Sequence, residues 1–259
     1  QENQVWLVDI DQRKVDQIRQ NGVTILEGDK KHVFYPKAVI NTEALAPMDL
    51  IIVFVKAMHS RTALERNKHL IGEDTYVMTL QNGAGHEEVL LDFVGPDHLI
   101  IGTTEHNSSI TEEGFIHHGG GGRTRISLWH GFNTKLESIA KSLTASGFTT
   151  EVSAEVGKHI WQKLFMNVSA SVLTGVLQVK LGYMLDNEHA WFLVQQLIKE
   201  AVAVAKAEGD EFVLEDVLSD IRTLLSNVRD GYTSIYADLR RGIPTEVDTI
   251  NGAVIRKAK

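Results

Sequence analysis

The sequence predicts an α/β domain over residues 1–154, built on a largely parallel sheet, followed by an all-helical domain over residues 155–259. Two observations carry this expectation. Through the first half, short apolar runs alternate with amphipathic stretches, the pattern of βαβ units. After about Glu155, apolar positions recur at helical spacing to the end of the chain.

Residues 5–8, 50–55, 76–80 and 99–102 are apolar runs of strand length, and 11–20, 59–70 and 86–93 read as helices between them. Residues 115–118 and 125–129 read as strands around four consecutive glycines, 119–122, which form a sharp turn. A helix over 134–145 and a strand over 149–152 finish the first domain. The second domain opens with one long apolar-rich helix, 156–177. Helices follow over 191–208, ended by Gly209, and over 213–225 and 233–241. A last helix starts near Pro244, since proline suits a first turn. The chain opens almost directly into Val5-Trp6-Leu7-Val8-Asp9 and stops within a helical pattern, so both ends of a longer protein are expected to lie outside it.

Composition narrows the chemistry. With no cysteine, disulfides and thiolate catalysis are excluded. A net charge of -8 without a Lys/Arg cluster argues against nucleic-acid or anionic-membrane partners. Apolar runs such as 50–55 are far too short to span a bilayer, and no basic-then-apolar leader opens the chain. A cytoplasmic protein is the expectation. The 11 histidines show no metal-ligand spacing, so no metal is expected. The glycine run lacks the Gly-Lys-Ser/Thr ending of a phosphate loop, and there is no G-x-S-x-G elbow.

Several residues could carry chemistry. Asp9 ends the first apolar run, and an acidic residue ending the second strand of a Rossmann-type fold accepts a hydrogen bond from an adenosine ribose. Such a residue follows the glycine-rich phosphate loop by about 20 positions, which places that loop before Gln1. The alternative is a cap for the helix starting at Asp11. Leu80-Gln81-Asn82-Gly83-Ala84-Gly85 lies between a strand and a helix, where glycines let a ligand approach the backbone. Asn82 offers both a donor and an acceptor there. Its plainer reading is an Asn-Gly turn. Lys56 shares that sheet edge, with a solvated surface lysine as its default reading.

Lys163, Asn167 and Ser171 recur at i, i+4 and i+8, on one face of the long helix. Apolar neighbours such as Ile160, Trp161, Leu164 and Phe165 would desolvate the lysine, lower its pKa and make it a usable general acid. A lysine snorkelling at a domain surface is the alternative. Ser234 and Asp238 stand one helical turn apart, and Glu246 falls in the first turn of the last helix, where the dipole favours a carboxylate. Spacing alone makes none of these three catalytic.

Four segments in order resemble the ketopantoate reductase (2-dehydropantoate 2-reductase) family. They are Val55-Lys56-Ala57, Leu80-Gln81-Asn82-Gly83-Ala84-Gly85, Ile160-Trp161-Gln162-Lys163-Leu164 with Asn167, and Thr245-Glu246-Val247-Asp248-Thr249-Ile250-Asn251-Gly252. The family's helical serine falls on Ser234, followed by Asp238, and the similarity covers essentially the whole chain. The resemblance implies a Rossmann-type domain that binds NADP(H) or NAD(H) and a helical substrate and dimerisation domain in a homodimer. The implied reaction is reduction of a 2-oxo acid, ketopantoate to pantoate in pantothenate biosynthesis. It assigns Lys163 as proton donor and Asn82 to nicotinamide and substrate. It assigns Asn167 and Ser234 to the substrate, and Lys56, Ser108 and Glu246 to the cofactor. Ser171 stands where the family often has a second substrate asparagine, and Leu181 where another can occur.

Asp9-Ile10 stands where NADPH-using members carry a basic residue, so Asp9 favours NAD(H), with Arg13 and Lys14 one turn on. Gly85-His86-Glu87-Glu88 and Asn251-Gly252-Ala253-Val254 also resemble the NAD-dependent D-2-hydroxyacid (D-mandelate) dehydrogenases of the same family. β-Hydroxyacid and 6-phosphogluconate dehydrogenases share a helical Lys-x-x-x-Asn, but the segment 245–252 favours the ketopantoate branch. If the glycine loop is missing from the gene, the reading from another class is a non-catalytic nucleotide-binding protein.

Overall fold

The computed structural model describes residues 3–111 and 115–259. β1 (Trp6–Val8) and β4 (Lys37–Val39) pair in parallel. Between them α1 (Gln12–Asn21) starts on Asp11, whose carboxylate accepts the Arg13 N–H, and stops at Gly22 in the left-handed region (φ 71°). β2 (Val23–Glu27) and β3 (Lys30–Phe34) then form an antiparallel hairpin that the periodicity does not reveal.

The main sheet holds β5 (Leu50–Val53), β6 (Tyr76–Thr79), β7 (Leu99–Thr104), β10 (Thr124–Leu128) and β11 (Thr150–Val152), in the order β11-β10-β7-β6-β5. β5, β6 and β7 run parallel, while β10 lies antiparallel to β7. A second sheet, β3-β2-β9-β8, adds β8 (Asn107–Ile110) and β9 (Ile116–Gly120). The glycine run is therefore not simply a turn: Gly119 and Gly120 continue β9, and Gly121 and Gly122 lead to β10.

Both faces of the main sheet are covered, and so its strands read as unbroken apolar runs. Met78, Ile100 and Ile126 pack under Leu136, Ile139 and Ala140 of α4 (Thr134–Ala145). Val53, Val77 and Leu99 pack on the other face with Leu64 and Leu90, from α2 (Ser60–Arg66) and α3 (Glu87–Leu90). Both of those helices are shorter than predicted. The first ends where Asn67 turns its amide back onto the Ala63 carbonyl, and single 3₁₀ turns flank it at Ala57–His59 and Lys68–Leu70.

From α5 (Val156–Met166) onward the chain is helical. The predicted long helix is continuous but not uniform. A π-helical segment, Asn167–Ser171, separates α5 from α6 (Val172–Leu177). After α7 (Tyr183–Asp186) come α8 (Glu188–Ala207), α9 (Leu214–Asn227), α10 (Ser234–Arg240) and α11 (Val247–Lys257). Pro244 precedes the last helix rather than opening it, and Glu246 occupies the cap position instead of the first turn. Trp161, Leu164 and Phe165 of α5 join Ile198, Leu225 and Ile250 in one buried core. Leu181 lies in that core too, 5% exposed, and gives no polar group to any cleft. Among the described residues no helix is long and apolar enough to cross a membrane.

Candidate active site

Because β5, β6 and β7 are parallel, the segments that follow them emerge at one edge of the sheet. The turn at Lys56 follows β5, the loop Gln81–Gly85 follows β6, and Thr104 ends β7. Facing that edge is α5, and the narrow cleft between them is lined by Gln81, Asn82, Gly83, Gly102, Thr103, Ile160, Lys163, Leu164 and Asn167. Gly102 keeps the strand close, since a β-carbon there would collide with the Arg125 carbonyl oxygen across the sheet.

Lys163 reaches into the cleft and donates to the Thr104 carbonyl oxygen at 2.8 Å. Burial pulls the ammonium below the ordinary lysine value, and the nearby Glu105 carboxylate opposes part of that shift. Its remaining N–H groups are donors available to a ligand. One turn on, Asn167 starts the π-helical segment, and its Oδ1 accepts the Ser171 hydroxyl at 3.3 Å. The amide hydrogens of Asn167 take no part in that bond, so Asn167 retains two donors. Ser171 is 4% exposed and turned onto Asn167. π-Helical segments recur at functional sites because they re-aim side chains within a continuous helix.

The loop after β6 is fixed from three sides. His86 Nε2 lies 3.0 Å from the Asn82 carbonyl oxygen, which requires the ring proton on that nitrogen. Burial lowers the His86 pKa, against the pull of the Asn82 carbonyl and of Glu87 and Glu246. Gln81 donates to the Ser60 hydroxyl at 3.1 Å and accepts from the Thr79 hydroxyl at 2.9 Å. Gly83 sits at φ 106°, and the next residue, Ala84, donates its N–H to the Thr249 carbonyl of α11 at 3.0 Å. Gly83 and Gly85 (φ 80°) both take left-handed backbone conformations, and at Gly83 the missing side chain lets the loop pack directly against the Thr249 carbonyl.

The other expected residues are spread around this centre. Ser234 is the exposed first residue of α10, next to Thr233, whose hydroxyl bonds the Ser171 carbonyl at 3.3 Å. Lys56 pairs with Asp238 at 2.5 Å and donates to the Pro244 carbonyl at 3.0 Å, so it is not a free surface lysine. Glu246 accepts the Ala57 N–H at 3.0 Å. Ser108 lies on the exposed β8, outside the cleft lining. Asp9 follows β1, accepts the Asp11 N–H at 2.9 Å, and takes Lys14 Nζ at 3.2 Å; the cap of α1 is Asp11 itself. Motif reading missed the Thr104 carbonyl, the π-helical segment, and the supporting roles of His86 and Gln81. Of these, only His86 and Gln81 carried a signal, as polar residues flanking the Asn-Gly pair.

Residues 1–131 match the family model described as Ketopantoate reductase PanE/ApbA, and residues 155–259 match that of its C-terminal part. A 2-dehydropantoate 2-reductase of Halobacterium salinarum is 29% identical over 260 residues, covering 100% of this chain and 85% of that protein. The enzyme of the same name from Pyrococcus horikoshii is 31% identical over 248 residues, covering 95% of this chain and 80% of that protein. Among solved structures, D-mandelate dehydrogenase with NADH and anilino(oxo)acetate superposes with a TM-score of 0.91 at 28% identity, covering 98% of this chain and 84% of that one.

Gly83→Ala should destabilise the protein by roughly 1–3 kcal/mol, the usual cost of forcing a side chain into a strained, filled position. The added β-carbon would meet the Thr249 carbonyl oxygen. Urea denaturation measures the loss, and amide exchange at Ala84 reports whether its bond to Thr249 opens. Wild-type stability together with wild-type protection would contradict this account of the loop.

Proposed function

The chain belongs to the ketopantoate reductase family, and from that premise we propose that it reduces a small 2-oxo acid to the 2-hydroxy acid, with Lys163 as the proton donor. The observation that carries the reading is a burial-weakened ammonium, 2.8 Å from the Thr104 carbonyl, facing the carboxyl edge of a parallel sheet. Asn82, Lys56 and Glu246 would help hold a nicotinamide cofactor, which would supply the hydride. Negative charge then grows on the substrate oxygen, and Lys163 first stabilises it and then protonates it. The Thr104 carbonyl aims the ammonium, and desolvation makes its proton easier to give.

A 2-oxo acid also carries a carboxylate, which needs donors. Asn167 offers amide hydrogens, and the Ser171 hydroxyl, bonded to its Oδ1, steadies that side chain, so Ser171 acts on the substrate through Asn167. Ser234 adds a hydroxyl from α10. The Asn82 carboxamide serves substrate and nicotinamide together. Asp9, Lys56, Ser108 and Glu246 form the proposed cofactor side. Lys56 and Glu246 hold partners in the helical part, and cofactor contacts at those atoms would have to share or exchange them.

Ketopantoate is the first substrate to test, because the curated relatives are named for it. A bulkier 2-oxo acid is the second reading, favoured by the superposition on D-mandelate dehydrogenase. The proposal includes a homodimer, for which Phe192 and Leu193 on α8, 56% and 46% exposed, offer apolar surface.

Lys163→Ala should lower kcat by about 10²–10⁴-fold, the usual worth of a positioned general acid, with cofactor affinity retained in a fluorescence titration. A variant with near-wild-type kcat would remove Lys163 from the mechanism.

NADH should serve at least as well as NADPH. Asp9 would place a carboxylate against a 2′-phosphate, and like-charge contacts of this kind cost up to several kcal/mol. Lys14 already neutralises part of that charge, so Lys14→Ala should reduce use of NADPH more than use of NADH. The comparison is kcat/KM for both reduced cofactors with ketopantoate and with aromatic 2-oxo acids. A wild-type preference for NADPH above about tenfold, equivalent to about 1.4 kcal/mol, would reverse the assignment of Asp9.

A further inference from the structure

Beside the cleft, three bonds join one turn of the sheet domain to one segment of the helical domain. Lys56 Nζ bonds Asp238 Oδ2 at 2.5 Å and the Pro244 carbonyl at 3.0 Å, and the Ala57 N–H bonds Glu246 Oε1 at 3.0 Å. All three join residues 56–57 to residues 238–246. The ion pair is sheltered, its side chains 32% and 16% exposed. Two further pairs cross between the domains, Lys257 with Glu87 at 3.6 Å and Arg256 with Glu88 at 4.0 Å, but they fasten α3 to α11 and leave the Lys56 turn alone.

The Lys56 turn also communicates with the reacting side. The Val55 carbonyl, immediately before Lys56, accepts Gln81 Nε2 at 2.5 Å, and Gln81 precedes Asn82. A connected path therefore runs from Asp238 through Lys56 and Val55 to Gln81 and the cleft loop. We propose that Asp238 is a positioning residue: by holding Lys56 across the two domains, it sets the closure of the cleft and the placement of Asn82 against Lys163. The inference rests on reading the cleft as the site of 2-oxo acid reduction.

Three features make this more than a surface ion pair. Asp238 is the one acidic partner of Lys56 among the described residues, and a lysine ammonium without it would face only the Pro244 carbonyl. Glu246 grips the adjacent residue, so the turn is held at two successive positions and cannot pivot about one. Asp238 does not line the cleft, so its effect on turnover must pass through Lys56.

The test is Asp238→Asn in the whole protein, which removes the charge and keeps the shape. It should lower kcat/KM for the oxo acid by about tenfold or more, equivalent to about 1.4 kcal/mol. Asp238→Glu should recover most of the loss. High salt, about 1 M, where the screening length is about 3 Å, should narrow the gap between wild type and variant by weakening the wild type. Independently of activity, the Ala57 and Ala84 amides should exchange faster in Asp238→Asn, while amides in the buried middle of α8 keep their protection. Kinetics and exchange both within about twofold of wild type would overturn the proposal, as would a kinetic loss that Asp238→Glu does not relieve. If the wild type reduces no 2-oxo acid with either cofactor, the reading of the site fails, and the exchange result alone decides whether Asp238 closes the cleft.

Discussion

The structure depends on one constraint: a lysine ammonium must be kept in a partly dry cleft where, among the described residues, its hydrogen-bond partner is one backbone carbonyl. Removing a cation from water is costly, and the group responds by holding its proton less firmly. For Lys163 that weakening is the useful property. Its position is not negotiable locally, because α5 is anchored through Trp161, Leu164 and Phe165 in the helical core. Thr104, which receives the ammonium, is fixed by pairing with Thr124 of β10. Two independently packed cores thus meet at one hydrogen bond.

Everything around that bond serves to keep the two halves in register. The loop after β6 is pinned to α11 at Thr249 and to His86 behind it, and Gly83 allows the approach. The turn after β5 is held by Asp238 and Glu246. The π-helical segment lets Ser171 brace Asn167 while the helix continues into α6. A parallel sheet contributes in the same direction, since it delivers the ends of β5, β6 and β7 to a single edge and leaves only one helix to be placed opposite.

What could be read beforehand follows from where the physical signal lies. β6 is buried at all four positions, so its apolar run was plain in the sequence. β3 and β8 are exposed at every position and carry polar residues, so periodicity gave no sign of them. Lys163 stood out because a charge among apolar neighbours is rare, and Asn82 because Asn-Gly interrupts the pattern. The Thr104 carbonyl has no residue-type signature, being backbone. The π-helical segment leaves the spacing of apolar residues almost unaltered. Lys56 and Asp238 lie 182 positions apart, and no local rule pairs them. Family resemblance named Lys56 and Glu246 but did not indicate that both reach across to the other domain.

The central claim is tested most directly by following the Lys163 side chain itself. Lysine labelled with ¹³C at Cε, assigned by comparison with Lys163→Ala, can be titrated by NMR. The account predicts that Lys163 loses its proton at lower pH than the exposed lysines, whose ordinary value is about 10.4. Because protonation is the active form, reduction should weaken as pH rises through that same lowered value. A Lys163 resonance that titrates together with the surface lysines would contradict the account.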